Sequence, residues 1–231
     1  MSDRTLSDLQ FLELVPPSLT HDPKFQGAAE GAGKDGVPSW VRWVWVELVG
    51  GGGGGGYLQA SGFNGNSAGA GAGAFAAGWV YVEPGSPKTI TVGQGGTKGP
   101  NGTTDGNPGG TSSFGSDISA PGGDGGESIN SGYGSGVAPA GGSKASCVGQ
   151  ITEDGGPGAP SGSNYIAWPF GGVSRFGHVV PAIDNPAAAN NTVGPGSGGR
   201  GERGSNGASL AGTDGTDGQV RVYWFGPIST V

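Results

Sequence analysis

Seven consecutive glycines, Gly50 to Gly56, restrict what this chain can fold into more than any other stretch. Glycine loses the most backbone freedom on ordering and brings no side chain to pack, so the run suits neither a helix nor an ordinary strand. A folded protein keeps it only where backbones must approach more closely than any side chain permits. The run therefore predicts a core made of main chain. The stretch before it, Ser39 to Val49, is rich in Val and Trp and reads as a strand. Its alternation places Val44, Val46 and Leu48 on one face and Trp43, Trp45, Glu47 and Val49 on the other.

Order is expected despite the composition. Gly 55 and Pro 17 in 231 residues would ordinarily signal low complexity. Disorder, however, goes with few aromatics and high net charge, whereas this chain has Trp 6, Phe 8 and Tyr 5 in strand-like clusters and a net charge of −7. An acidic balance argues against nucleic acid as a partner, because phosphate neutralisation needs clustered Lys and Arg. The single Cys147 allows no internal disulfide. With neither a signal-peptide core nor a long apolar run, the expectation is a soluble protein without membrane insertion.

The chain divides into an arm, residues 1–37, and a glycine-rich domain, residues 38–231. The arm carries a short apolar stripe (Leu6, Leu9, Phe11, Leu12, Leu14) ended by Pro16-Pro17, then Asp22-Pro23 as a helix start leading to Phe25. Helices this short need another surface to bury Leu and Phe, so a docking arm and a frayed terminus are the alternatives. After the glycine run, Trp79–Glu83 and Thr89–Val92 flank Pro84-Gly85-Ser86-Pro87 and predict a hairpin, with Val80 and Val82 on one face. From Gly93 to Gly218 glycine dominates. It recurs every third residue at Gly198, Gly201, Gly204 and Gly207, and again at Gly212, Gly215 and Gly218.

Three residues per turn is the period of the polyproline II helix, which has no internal hydrogen bonds. In a bundle of such helices, glycine lets neighbouring backbones pair their N–H and C=O groups. Each such bond nets about 0.5–1.5 kcal/mol against about 1–2 kcal/mol per residue ordered, so many must form together. Collagen needs unbroken triplets, and the register here jumps between Gly207 and Gly212. Two islands interrupt the glycine: Thr111–Gly115, and Asn164 to Val180 with Tyr165, Trp168, Phe170, Arg175, Phe176 and His178. The larger island either plugs a bundle end or forms a contact surface. Gln219–Phe225 reads as a closing strand that pairs with Ser39–Val49. The fold class expected is mainly β and irregular: a small antiparallel sheet clamping a polyglycine II bundle, with a short helical amino-terminal arm.

Two resemblances sharpen this reading. Phe11-Leu12-Glu13-Leu14-Val15-Pro16-Pro17-Ser18-Leu19, then Asp22-Pro23-Lys24-Phe25 and Ala28-Ala29-Glu30, resemble the start of tail protein I, a baseplate component of contractile-tailed phages. That likeness covers about the first thirty residues and implies tail docking through Leu9, Phe11, Leu12, Leu14, Pro16, Pro17 and Phe25. The order of segments over residues 38–226 is similar to the glycine-rich domain of phage tail fibres. It runs from Trp43-Val44-Trp45-Val46-Glu47-Leu48-Val49-Gly50 through Val82-Glu83-Pro84-Gly85, Thr91–Gly96 and Gly110–Gly115 to Asp217–Val222. The resemblance implies a virion protein of the phage tail, made in the host cytoplasm. Its partners would be other tail, baseplate or fibre proteins and a bacterial surface receptor, protein or glycan, and its state a monomer or a homotrimer. Between about Ser143 and Asn191 the sequence departs from that pattern. Tyr165, Trp168, Phe170, Arg175, Phe176 and His178 are the candidate host contacts there.

Chemistry motifs do not point to an enzyme, a metal or a cofactor. The Gly-x-Gly matches precede no amphipathic helix. His21 and His178 lack spaced partners for a metal, and no Gly-x-Ser-x-Gly sits between a strand and a helix. Turn chemistry accounts for the scattered Asp-Gly pairs, among them Asp214 and Asp217. Three roles remain: a host-binding module, a purely structural tail component, and an ice-binding face. The last needs regular ranks of Thr, Ala or Asn, which the broken register disfavours.

Overall fold

The structure, a computed structural model, describes residues 41–62, 64–84, 86–101, 104–130, 137–163, 169–180, 191–205 and 207–224. The helical arm expected over residues 1–37 lies outside them. The strands in chain order are β1 (Trp43–Val49), β2 (Tyr57–Gln59), β3 (Gly65–Asn66), β4 (Phe75–Tyr81), β5 (Ile90–Thr91), β6 (Ser112–Phe114) and β7 (Ile118–Ala120). They continue with β8 (Ile151–Glu153), β9 (Gly162–Ser163), β10 (His178–Val180), β11 (Asn191–Val193), β12 (Arg203–Gly204), β13 (Ser209–Ala211) and β14 (Gln219–Tyr223). Among the described residues the helical content is one 3-10 turn, Lys144–Ser146.

The longest strands form a four-stranded antiparallel sheet in the order β14-β1-β4-β8. The expected pairing of the two ends holds: β1 lies against β14, with Trp45 opposite Tyr223 and Val49 opposite Gln219. The expected hairpin does not. Residues 75–81 pair with β1, while β5 joins a separate three-stranded sheet, β5-β6-β7. A Pro-Gly turn is a local signal, and the strand before it found a longer Val-rich partner in β1.

The two sheets enclose an apolar core. Val44, Val46 and Leu48 pack with Val80, Val82, Phe114, Ile118, Ala120 and Val220. Alternation in β1 holds as expected, except that Val49, assigned to the outer face, is fully buried. A smaller cluster, Leu58, Ala60 and Ile129, closes the far end of the glycine run.

Between these clusters the interior is main chain. Along the run each amide N–H turns to a different neighbour from the one before. Gly50, Gly53 and Gly56 donate to the carbonyls of Ala74, Gly71 and Ala68; Gly51 and Gly54 donate to Gly110 and Asn107; Gly52 and Gly55 donate to Thr216 and Thr213. Their carbonyls serve other segments: Gly51 and Gly54 accept from Gly123 and Gly126, Gly52 and Gly55 from Gly96 and Gly99, and Gly53 from Gly199. A β-strand alternates between two sides. Here the period is three, and neighbours surround the run.

Steric room follows the same rotation. A Cβ on Gly53 would overlap the carbonyl of Asp124, one on Gly54 that of Thr97, and one on Gly55 that of Arg200. That close approach is why the run tolerates only glycine. Residues 68–74 repeat the pattern with Ala at alternate positions. Ala68, Gly71 and Ala74 donate to Glu127, Asp124 and Pro121, Gly69 and Ala72 to Ala159 and Gly156, and Ala70 and Gly73 to Gly199 and Gly196. All four alanines are fully buried.

At the periphery, side chains replace the missing backbone neighbour. In Gly212-Thr213-Asp214-Gly215-Thr216-Asp217-Gly218 each residue type serves one direction. The glycines face the run, where a Cβ on Gly215 would overlap the carbonyl of Gly52. Thr213 and Thr216 Oγ1 accept from the N–H of Arg200 (2.9 Å) and Ser197 (2.7 Å). Asp214 and Asp217 carboxylates accept from the N–H of Lys98 (2.8 Å) and Gly95 (2.7 Å). These aspartates were expected to serve turns; instead they tie together segments distant in sequence, because an outward N–H needs an acceptor. The other triplet holds only in part. Gly198 and Gly201 face backbone, but Gly204 lies in β12 against the Ala208 side chain and Gly207 is a left-handed turn residue with φ +88°.

Sheet and glycine segments are continuous. β1 runs into Gly50–Gly56, residues 68–74 lead into β4, residues 106–111 into β6, and Gly212–Gly218 into β14. Packing by side chains thus sets the register of the segments packed by main chain.

Candidate recognition surface

Strand alternation places Trp43, Trp45 and Glu47 of β1 on the outward face of the four-stranded sheet. Beside them stand Phe75, Ala77, Trp79 and Tyr81 of β4 and Arg221 and Tyr223 of β14. Opposite residues meet as aromatic pairs. Trp43 and Tyr81 have ring centroids 5.5 Å apart at 74°, and Trp45 and Trp79 stand 5.5 Å apart at 65°. Edge-to-face pairs at such distances contribute about 0.5–1.5 kcal/mol beyond their burial. Trp43, Trp79 and Tyr81 remain 56%, 41% and 47% exposed. Polar groups thread between the rings. Glu47 accepts from Trp45 Nε1 (3.1 Å) and from the Tyr223 hydroxyl (3.3 Å). The Tyr81 hydroxyl accepts from Arg42 (3.5 Å) and donates to Glu83 (3.3 Å). Burial, followed by the Glu47 charge, pushes the Tyr223 hydroxyl above its ordinary pKa.

The other end of the face is covered. Phe176 meets Phe75 edge-on at 5.6 Å, the Arg221 guanidinium lies 3.9 Å from the Phe176 centroid, and Arg175 lies 5.3 Å from that of Phe75. Arg175 also pairs with Glu153. Of the residues singled out as host contacts, Arg175 and Phe176 are therefore brought together on the sheet. Phe170 and His178 are exposed. Tyr165 and Trp168 lie outside the described residues, as do Leu9, Phe11, Leu12, Leu14, Pro16, Pro17 and Phe25. Sequence reasoning placed Trp43 and Trp45 on the outer face yet did not count them as surface candidates. The signal was the Trp-Val-Trp-Val alternation itself, since rings opposite a buried Val face must point away from the core.

Among the described residues no group of three or more His, Cys, Asp or Glu could hold a metal ion. No helix among them is long and apolar enough to cross a membrane. Cys147 is half-buried beside the carbonyls of Phe75 and Ser143, and burial, then the Asp154 charge, pushes its thiol up to about 11.

Residues 28–225 match the model of a family described as a glycine-rich domain. The chain belongs to that family. No curated protein matches it. The glycine-rich domain so defined takes in the four-stranded sheet, the β5-β6-β7 sheet, the Gly50–Gly56 run and the exposed aromatic face.

Proposed function

We propose that the chain is a tail-fibre or tail-tip protein of a phage. In this reading residues 1–37 dock to other tail, baseplate or fibre proteins, and the glycine-rich domain meets the host surface as an adhesin. The glycine segments are polyglycine II rods, and the sheets clamp their ends. The amide donors of Gly50–Gly56, which change neighbour with a period of three, carry this reading because that is the period of such a helix. Rods held by main chain leave the connecting loops free to vary, which is what a recognition protein requires.

Adsorption tests the role. The purified full chain should bind cells of a permissive bacterial host and compete with virions, and Phe170→Ala with His178→Ala should weaken that binding about tenfold or more. Failure to bind any permissive host removes the adhesin role. A purely structural tail component is the second reading, favoured by the packing of Arg175 and Phe176 onto the sheet. It expects deletion of residues 1–37 to block particle assembly while loop substitutions leave adsorption unchanged.

A further inference from the structure

The exposed half of the sheet face has no role in the fold that its geometry requires. Val44, Val46 and Leu48 on the opposite face already bury the core. Large aromatic side chains left in water on one contiguous face mark a contact site more often than chance. We infer that the Trp43–Tyr81 pair and the adjoining Trp45–Trp79 pair form a stacking platform for neutral sugar rings. The inference deepens the adhesin reading, on which it rests, by assigning a ligand class to the half of this face that Arg175 and Phe176 leave open.

Three observations select that class. First, the rings are held before any ligand arrives. Each is fixed against its cross-strand partner, and the Gln150 side chain brackets the Trp79 backbone, accepting from its N–H (3.2 Å) and donating to its carbonyl (3.4 Å). Little rotamer entropy is left to lose on binding. Second, the polar groups between the rings are mostly acceptors. The carboxylates of Glu47 and Glu83 each have about four lone-pair sites, and the contacts above use only part of them. A ligand rich in hydroxyl donors satisfies the remainder. Third, Glu47 and Glu83 stand among the rings, while Arg221 is stacked over Phe176 and Arg42 makes one 3.5 Å contact to Tyr81. With a chain charge of −7, an anionic ligand is repelled. A pyranose offers an apolar C–H face to the ring and hydroxyls to the carboxylates. A phosphate-bearing chain or an acidic glycan offers the wrong charge.

The test is direct binding of the full chain to neutral hexasaccharides (cello-, malto- and mannohexaose), with an oligogalacturonate as the anionic comparator. Tryptophan fluorescence and calorimetry supply the readouts. The expected result is binding of at least one neutral probe, none of the oligogalacturonate, and protection of tryptophan from acrylamide quenching. Trp43→Ala and Tyr81→Ala should each weaken binding about tenfold, the order expected when one stacking ring is removed. Trp43→Phe keeps a ring and should retain most of the affinity, which covers the case in which an alanine variant fails to fold. Absence of neutral-sugar binding, unchanged quenching, or unchanged affinity in folded Trp43→Ala overturns the inference. So does a sedimentation result in which copies of the chain associate through this face. Host adsorption separates the two claims. Adsorption that survives Trp43→Ala leaves the adhesin reading standing without the platform. Sugar binding by a chain that adsorbs to no host leaves the platform without the adhesin.

Discussion

Two kinds of interior sit side by side in this molecule. Between the sheets, Val46, Leu48 and Phe114 are buried side chain against side chain, as in any sandwich. Along Gly50–Gly56 the buried contacts are carbonyl against Cα and amide against carbonyl. The first interior tolerates a change of volume, because neighbouring side chains relax. The second has little that can move, since the atoms an added Cβ would meet along the run all belong to backbone.

Substitution should therefore hurt in opposite directions. Adding one methyl in Gly53→Ala is expected to exceed the roughly 1–3 kcal/mol usual for overpacking and to prevent folding, read by chemical denaturation and circular dichroism. Gly62→Ala is the control. That site has φ +81° and nothing within 4 Å of an added Cβ, so only about 1–2 kcal/mol of backbone strain is expected. Equal tolerance at the two sites would erase the distinction between interiors. Next in size, removing side chain from the sheet core in Leu48→Ala should cost about 2–5 kcal/mol while the protein still folds.

Smaller effects test the periphery. Thr216→Val keeps the shape but leaves the Ser197 N–H with only its longer bond to the Gly194 carbonyl (3.2 Å), for a loss of about 0.5–1.5 kcal/mol. A loss near zero would mean that water replaces the hydroxyl. The smallest effects concern titration. Asp154 is held below the ordinary carboxylate range, first by the Lys144 backbone N–H. Its contribution is thus present above the unfolded-state value and is lost as pH falls through the folded value. Asp154→Asn should flatten that acid limb of the stability–pH curve. Cys147 has the opposite sense. Its raised value favours the neutral thiol, so its contribution holds below the unfolded value near 9.0 and fades as pH rises through about 11. Alkylation at pH 8 should run about 100-fold slower than for a free thiol and should recover on unfolding.

The comparison also explains what could be read from the sequence. The β1–β14 pairing and the Val44/Val46/Leu48 face were legible because side-chain alternation records which face is buried. The need for close backbone approach was legible from Gly50–Gly56, because no other residue fits. What the glycines could not record is which segment lies where, since a residue without a side chain carries no mark of its neighbour. For that reason the aspartates of Gly212–Gly218 read as turn residues, and the loss of register after Gly201 went unseen. The hairpin over residues 79–92 failed for a related reason: a strong local turn signal competed with a distant strand that only the assembled sheet reveals. Of the candidate site, the outward aromatic rings of β1 were legible and their pairing across the sheet was not.

An interior of peptide groups also carries a thermal signature. Exposing hydrocarbon on unfolding raises the heat capacity by about 0.45 cal/K/mol/Å², whereas exposing amides lowers it by about 0.26 cal/K/mol/Å². Melting this molecule hydrates mostly amides along the segments flanking Gly50–Gly56, so calorimetry should return a per-residue increment below the usual 12–15 cal/mol/K or so. Its free-energy curve would then arch only gently, retaining its strength in the cold where oil-filled folds weaken.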